Sequence, residues 1–206
     1  NPAELLVLIQ AAICEGMSVS FTASTTNTDS YLWSPGGETT PNISASPTSQ
    51  TIYSVTVSNS CGNANDEITV DINPLPTVSI SGDNDVCEGE SISLSANTTD
   101  ADGYLWSGGE TTANIAVSPT SESTYSVTVS NACGDATDEQ TVEVNPLPSV
   151  TASNDMDICE GESVTLSATS DDALIWEPGE ITANEISVSP SNTTTYTVTA
   201  SNNCGD

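Results

Sequence analysis

Cys87-Glu-Gly-Glu-Ser-Ile-Ser-Leu-Ser-Ala96, then Tyr104-Leu-Trp106-Ser-Gly-Gly-Glu-Thr-Thr112, Ile115-Ala-Val117-Ser-Pro119 and Thr124-Tyr-Ser-Val-Thr-Val-Ser-Asn-Ala-Cys133-Gly134, is the stretch on which the reading of this chain rests. Nearly the same string runs from Cys14 through Trp33 to Cys61, and again from Cys159 through Trp176 to Cys204. The first cysteines of successive copies, Cys14, Cys87 and Cys159, lie 73 and 72 residues apart. One unit of about 72 residues is therefore repeated in tandem, which predicts three domains over residues 1–73, 74–145 and 146–206.

Each unit is small, and the composition is extreme. The 206 residues include no Lys, Arg or His against 29 Asp and Glu, a formal charge of −29. Side-chain ion pairs are impossible, and nucleic acid and anionic membrane surfaces carry the wrong charge to be partners. Self-repulsion on this scale favours a soluble, extended rod, less so in a salty medium. Six cysteines at fixed places in small repeats indicate disulfides and an oxidising, extracellular location. Zinc is the competing reading, but there is no Cys-x-x-Cys and no His to support it. The apolar run Leu5-Leu-Val-Leu-Ile9 is too short to span a bilayer and lacks the basic flank of a signal peptide, so the chain is expected to be a fragment of a longer secreted protein.

Asn73-Pro-Leu-Pro76 and Asn145-Pro-Leu-Pro148 read as short stiff linkers. After each comes a first strand, clearest in Thr77-Val-Ser-Ile-Ser81. A second strand alternates through Val19, Phe21, Ala23 or Val164, Leu166, Ala168. A third carries Tyr31 and Trp33, or Tyr104 and Trp106. Then come Ile43, Ile115 or Ile186, closed by Ser-Pro, and Tyr-x-Val-x-Val ahead of a Cys-Gly turn. A last strand follows at Ile68–Ile72 and Thr141–Val144; the third copy stops at Cys204-Gly-Asp206 without one. Six or seven short strands with frequent turn signals and no helical period indicate an all-β chain of immunoglobulin-like antiparallel sandwiches. Trp33, Trp106 and Trp176 read as core residues packed by Tyr53, Tyr125 and Tyr196; sugar stacking by the tryptophans is the alternative.

The combination of Cys-x-Gly, Trp-Ser before Gly-Gly-Glu-Thr-Thr, Val-Ser-Pro-x-x-x-x-Thr-Tyr-x-Val-Thr-Val, Cys-Gly and Asn-Pro-Leu-Pro resembles the Ig-like or PKD-like repeats of very large Bacteroidota surface proteins, among them gliding-motility adhesins exported by type IX secretion. The resemblance covers the whole chain, although the Gly-Asp-Gly signature of PKD domains is replaced by Gly-Gly-Glu-Thr-Thr. It implies a cell-surface location and a stalk-like role, and it names no ligand.

In such a topology the loop between the first two strands and the loop between the last two lie at opposite ends of the domain. Cys14, Cys87 and Cys159 occupy the former, and Cys61, Cys133 and Cys204 the latter. Strands of about six residues separate these ends by roughly 20 Å, beyond the reach of a disulfide. The expected bonds therefore join neighbouring repeats, Cys14 to Cys133 and Cys87 to Cys204, leaving Cys61 and Cys159 for further neighbours. A missing strand or a crossover would reverse this parity and allow bonds within each repeat. The same placement gathers carboxylates at the joints: Asp83, Asp85 and Glu88 toward Asp171, Asp172 and Asp206, and Glu15 toward Asp100, Asp102, Asp135 and Asp138. Oxygen ligands without basic partners suit calcium, so calcium is the one cofactor expected. The alternative is solvated loop acids, since no loop matches an EF-hand.

Catalysis is not expected, because without His or Lys there is no Ser-His-Asp arrangement and no Schiff base. The expected function is a structural stalk or fibre in a large extracellular adhesin, whose partners are adjacent repeats of the same chain. Two alternatives are a module binding surface glycans or cells, and a self-assembling filament subunit in a homo-oligomeric bundle or fibre.

Overall fold

The computed structural model describes residues 4–6 and 11–206, and most of the apolar run from Leu5 to Ile9 lies outside the described residues. Every regular element among the described residues is a strand. In the first repeat these are β1 (Glu4–Leu6), β2 (Ala11–Cys14), β3 (Val19–Thr22), β4 (Ser24–Thr26), β5 (Ser30–Ser34), β6 (Asn42–Ala45), β7 (Thr51–Asn59) and β8 (Gly62–Asn73). One sheet has the order β2-β8-β7-β5 and faces the pair β3-β6; β1 pairs with β4.

Alternation places the core. Tyr53, Val55 and Val57 on β7 are buried while their neighbours are not, and Trp33 on β5 lies opposite Val55. Across the sandwich, Phe21 stacks on Trp33 with centroids 6.0 Å apart and meets Tyr53 at 5.1 Å. The tryptophan is 1% exposed, and its Nε1–H donates to the Thr40 carbonyl at 2.9 Å. Trp106 and Trp176, each 2% exposed, repeat this with the Thr112 and Ala183 carbonyls, both at 2.9 Å. A buried indole N–H left unpaired would be costly, so the turn after each Trp is held where its carbonyl satisfies the ring. The expectation that these residues form the core matches their burial; exposed Trp platforms for sugar stacking are absent.

The second repeat contains β9 (Thr77–Ser81), β10 (Asp85–Cys87), β11 (Ile92–Thr99), β12 (Gly103–Trp106), β13 (Asn114–Val117), β14 (Ser123–Asn131) and β15 (Gly134–Asn145). Its sheets have the orders β10-β15-β14-β12 and β13-β11-β9. The third contains β16 (Thr151–Ala152), β17 (Val164–Thr169), β18 (Ala173–Glu177), β19 (Glu185–Val188) and β20 (Thr197–Ser201), in the orders β16-β17-β19 and β18-β20. The chain divides into two compact units, one of Asn1–Ser79, Asn97–Thr112 and Val127–Asp138, the other of Ile80–Ala96, Ala113–Ser126 and Glu139–Asp206. The boundary between these units falls inside the second repeat.

One feature departs from a purely antiparallel sandwich. The short strands β2 and β10 run parallel to the last strands β8 and β15, with Cys14 opposite Asn73 and Cys87 opposite Asn145. In the second repeat the first strand leaves one sheet after Ser81 and joins the other at Asp85. Gly82 makes the crossing possible: its φ is +150°, and a Cβ there would lie 2.6 Å from the Ser93 carbonyl oxygen. At Gly89, with φ +85°, a Cβ would meet nothing within 4 Å. Gly89→Ala should therefore cost only the backbone term of about 1–2 kcal/mol. Gly82→Ala should cost at least about 1 kcal/mol more in urea unfolding, because the clash is with backbone; equal losses would contradict this account of the crossing.

Candidate functional site: the joints between repeats

The joint between the first and second repeats lies within the first unit. β8 ends at Asn73, the linker Pro74-Leu75-Pro76 follows, and β9 begins at Thr77. Pro76 is buried, and Leu75 packs toward Gly134, where an added Cβ would come within 3.1 Å of its Cδ2. A side chain at position 134 would push the linker away from the turn between β14 and β15.

Asn131 organises that turn. Its Oδ1 accepts from the N–H groups of Cys133 at 2.8 Å and Gly134 at 3.2 Å. Its Nδ2 donates to the carbonyls of Pro74 at 3.0 Å and Asp100 at 2.7 Å. One side-chain amide thus uses two donors and two acceptor positions to fix the cysteine turn, the neighbouring loop and the incoming linker. The joint between the second and third repeats, inside the second unit, is built the same way. Asn202 Oδ1 accepts from Cys204 N–H at 2.7 Å, and its Nδ2 donates to the Pro146 carbonyl at 3.2 Å and to Asp172 Oδ1 at 3.0 Å. In the first repeat Asn59 Oδ1 accepts from Cys61 N–H at 2.8 Å. These asparagines were not among the residues singled out from sequence, although an Asn two places before Cys61, Cys133 and Cys204 was a visible signal.

The asparagine turns set the cysteines. Cys14 bonds to Cys133 with Cα atoms 5.3 Å apart, and Cys87 to Cys204 at 5.5 Å. Cys133 Sγ lies 3.7 Å from the Asn73 carbonyl oxygen, which accepts the Glu15 N–H at 3.0 Å. A bond inside the first repeat is ruled out by length: Cys14 is opposite the last residue of β8 and Cys61 immediately precedes its first, which puts the two about 36 Å apart. The separation exceeds the roughly 20 Å expected from short strands, because β8 has 12 residues. Closing loops with sequence separations of 119 and 117 stabilises by about 4–5 kcal/mol each on a chain-entropy argument. Cys61 and Cys159 are exposed free thiols.

The carboxylates expected at the joints are not gathered into a group of three or more among the described residues, so Asp83, Asp85, Glu88, Asp135, Asp138, Asp171 and Asp172 are not brought together as ligands of a metal ion. Amides take part of their capacity instead: Asp85 Oδ2 accepts from Asn145 Nδ2 at 2.9 Å, and Asp172 is engaged by Asn202. Parity arguments locate a loop at one end of a domain, but they do not aim its side chains at a common point.

No protein-family model and no curated protein sequence matches the chain. Among solved structures it is similar to a Glu-to-Ala variant of a three-immunoglobulin-domain stretch of titin, with 15% identity, a TM-score of 0.60 and coverage of 98% of this chain and 94% of that one. It is also similar to an I-band fragment of titin at 12% identity and TM-score 0.52, covering 88% and 81% of the two chains. At these identities the likeness concerns the fold, and together with the strand orders it establishes an all-β chain of tandem immunoglobulin-like domains.

Asn131→Ala should lower the free energy of unfolding by about 1–3 kcal/mol, since it strands two carbonyls and two N–H groups at the joint. Asn131→Asp should recover part of the loss, because a carboxylate keeps the acceptor for Cys133 and Gly134. Urea titrations in which Asn131→Ala stays within about 0.5 kcal/mol of the parent would remove the asparagine from its organising role.

Proposed function

We propose that this chain is a load-bearing stalk or fibre segment of a large extracellular bacterial surface adhesin or appendage, with no catalytic step of its own. The observation that carries the reading is the interleaving of the two disulfides. Cys87 lies between Cys14 and Cys133 in sequence, and Cys133 lies between Cys87 and Cys204. Force applied to the ends of an unfolded but oxidised chain would run from Cys14 to Cys133, back along the chain to Cys87, and across to Cys204. About 46 residues then bear load in place of about 190, a limit near 160 Å rather than 660 Å at full extension.

The residue pattern shared with Bacteroidota surface repeats supports the cellular setting, and the two disulfides support an oxidising compartment. No helix among the described residues is long and apolar enough to cross a membrane. Gliding motility and type IX export belong to this proposal through the sequence resemblance alone. Cys61 and Cys159 stand at the positions that are bonded in the sibling repeats, and in this reading they pair with further repeats of the same kind.

Single-molecule stretching of the chain carrying Cys61→Ser and Cys159→Ser, with handles at both ends, tests the proposal. Reduction should lengthen the fully stretched chain by about 500 Å. An oxidised chain that already reaches the longer limit would contradict the load-bearing role.

A further inference from the structure

Backbone hydrolysis falls first on exposed loop tips. In every repeat the longest run of exposed residues among those described follows the tryptophan: residues 34–42, 107–112 and 177–182. The covalent map encloses all three. Residues 15–132 lie within the loop closed by Cys14 and Cys133, residues 88–203 within the loop closed by Cys87 and Cys204, and residues 88–132 within both. A cut adds one water across a peptide bond, leaving a carboxylate and an ammonium group, and touches neither S–S bond. One cut anywhere between Cys14 and Cys204 therefore leaves the two pieces joined, by one disulfide after Trp33 or Trp176 and by both after Trp106.

Strand pairing crosses the same cuts. Within the first unit, a cut between Gly36 and Gly37 leaves β2, β3 and β5 on one piece and β6, β7 and β8 on the other. The pairs β2–β8, β3–β6 and β5–β7 each join the two pieces. The Trp33 backbone N–H donates to the Glu38 carbonyl and its indole N–H to the Thr40 carbonyl, both at 2.9 Å, which fastens the new end to the piece it was cut from. Within the second unit, a cut between Gly179 and Glu180 is bridged by β17–β19 and β18–β20, and by the Trp176 N–H on the Ile181 carbonyl at 2.9 Å. A disulfide makes the reassociation of such pieces intramolecular, at an effective concentration of about millimolar.

We infer that the chain is built to tolerate a peptidase: hydrolysis of the exposed stretch after any one of Trp33, Trp106 or Trp176 leaves a folded, covalently continuous molecule that still carries load. Two of the three stretches lie off the load path. In the unfolded, oxidised chain residues 15–86 and 134–203 bear no load, so a cut after Trp33 or Trp176 leaves the limit at about 160 Å. A cut after Trp106 falls on the loaded segment and moves the load to two parallel segments of about 70 residues each, a limit of about 250 Å. Tolerance of cutting rests on the load-bearing role proposed above and extends it to a stalk attacked by peptidases.

The test uses the whole chain carrying Cys61→Ser and Cys159→Ser and one inserted recognition sequence for a site-specific protease, between Gly36 and Gly37, Gly108 and Gly109, or Gly179 and Glu180. The uncut form of each is its reference, and three insertions keep the test decisive should one disturb folding before cleavage. After cleavage each should show one mass without reductant and two with it, and should keep the emission of buried tryptophan. Its urea midpoint should not move on about tenfold dilution, whereas with reductant the midpoint should fall on dilution because the pieces separate. Stretching should stop at about 160 Å for the outer cuts and about 250 Å for the middle one. Two masses without reductant, exposed tryptophan emission after cleavage, or a midpoint that falls on dilution without reductant would overturn the inference. An uncut chain that stops at about 160 Å while its cut form exposes tryptophan sinks tolerance of cutting alone; an uncut oxidised chain that reaches about 660 Å sinks the load-bearing role itself.

Discussion

The parallel pairing of a three- or four-residue strand with the end of the last strand is the constraint on which the rest depends. It places Cys14 opposite Asn73 and Cys87 opposite Asn145. The second cysteine of each complete repeat sits just before that same long strand begins. Two cysteines held at opposite ends of a 12-residue strand cannot meet, but Cys14 and Cys87 each reach the second cysteine of the following repeat. Covalent continuity between repeats follows from strand length, and the linker proline carbonyls are fastened by amides on the same turn.

A chain with 29 acidic and no basic side chains must hold its joints without ion pairs. It does so with neutral donors. Asn131, Asn202 and Asn145 supply N–H groups to carbonyls or carboxylates, and Gln140 donates to the Gly82 and Asp83 carbonyls at 3.2 and 3.0 Å. Such bonds are insensitive to the salt that screens the repulsion between the surrounding acids. The disulfides add a link that neither salt nor dilution of counterions loosens. Stability in the core and rigidity at the joints therefore have separate origins: buried Trp, Tyr and Val in one case, amides and sulfur in the other.

The strands around Trp33, Trp106 and Trp176 were legible because alternation with period two survives in every copy, and three copies expose the pattern against noise. The short strands at Ala11–Cys14 and Asp85–Cys87 were not, since three or four residues carry no period and exist only through a distant partner. The cysteine placement could be reasoned from loop ends alone, because it needs only which end of a domain a loop occupies. The carboxylate cluster needed side-chain direction, which loop position does not supply. Asn59, Asn131 and Asn202 escaped notice among many Ser and Asn residues, where only their constant offset from cysteine set them apart.

Mapping the disulfides directly is the most direct test of the central claim that covalent bonds join one repeat to the next. The protein would be alkylated without reduction, cleaved at Asp and Glu because trypsin has no site, and its linked peptides identified by mass spectrometry. The account predicts bonds from Cys14 to Cys133 and from Cys87 to Cys204, with alkylated Cys61 and Cys159. A bond from Cys14 to Cys61 or from Cys87 to Cys133 would contradict it.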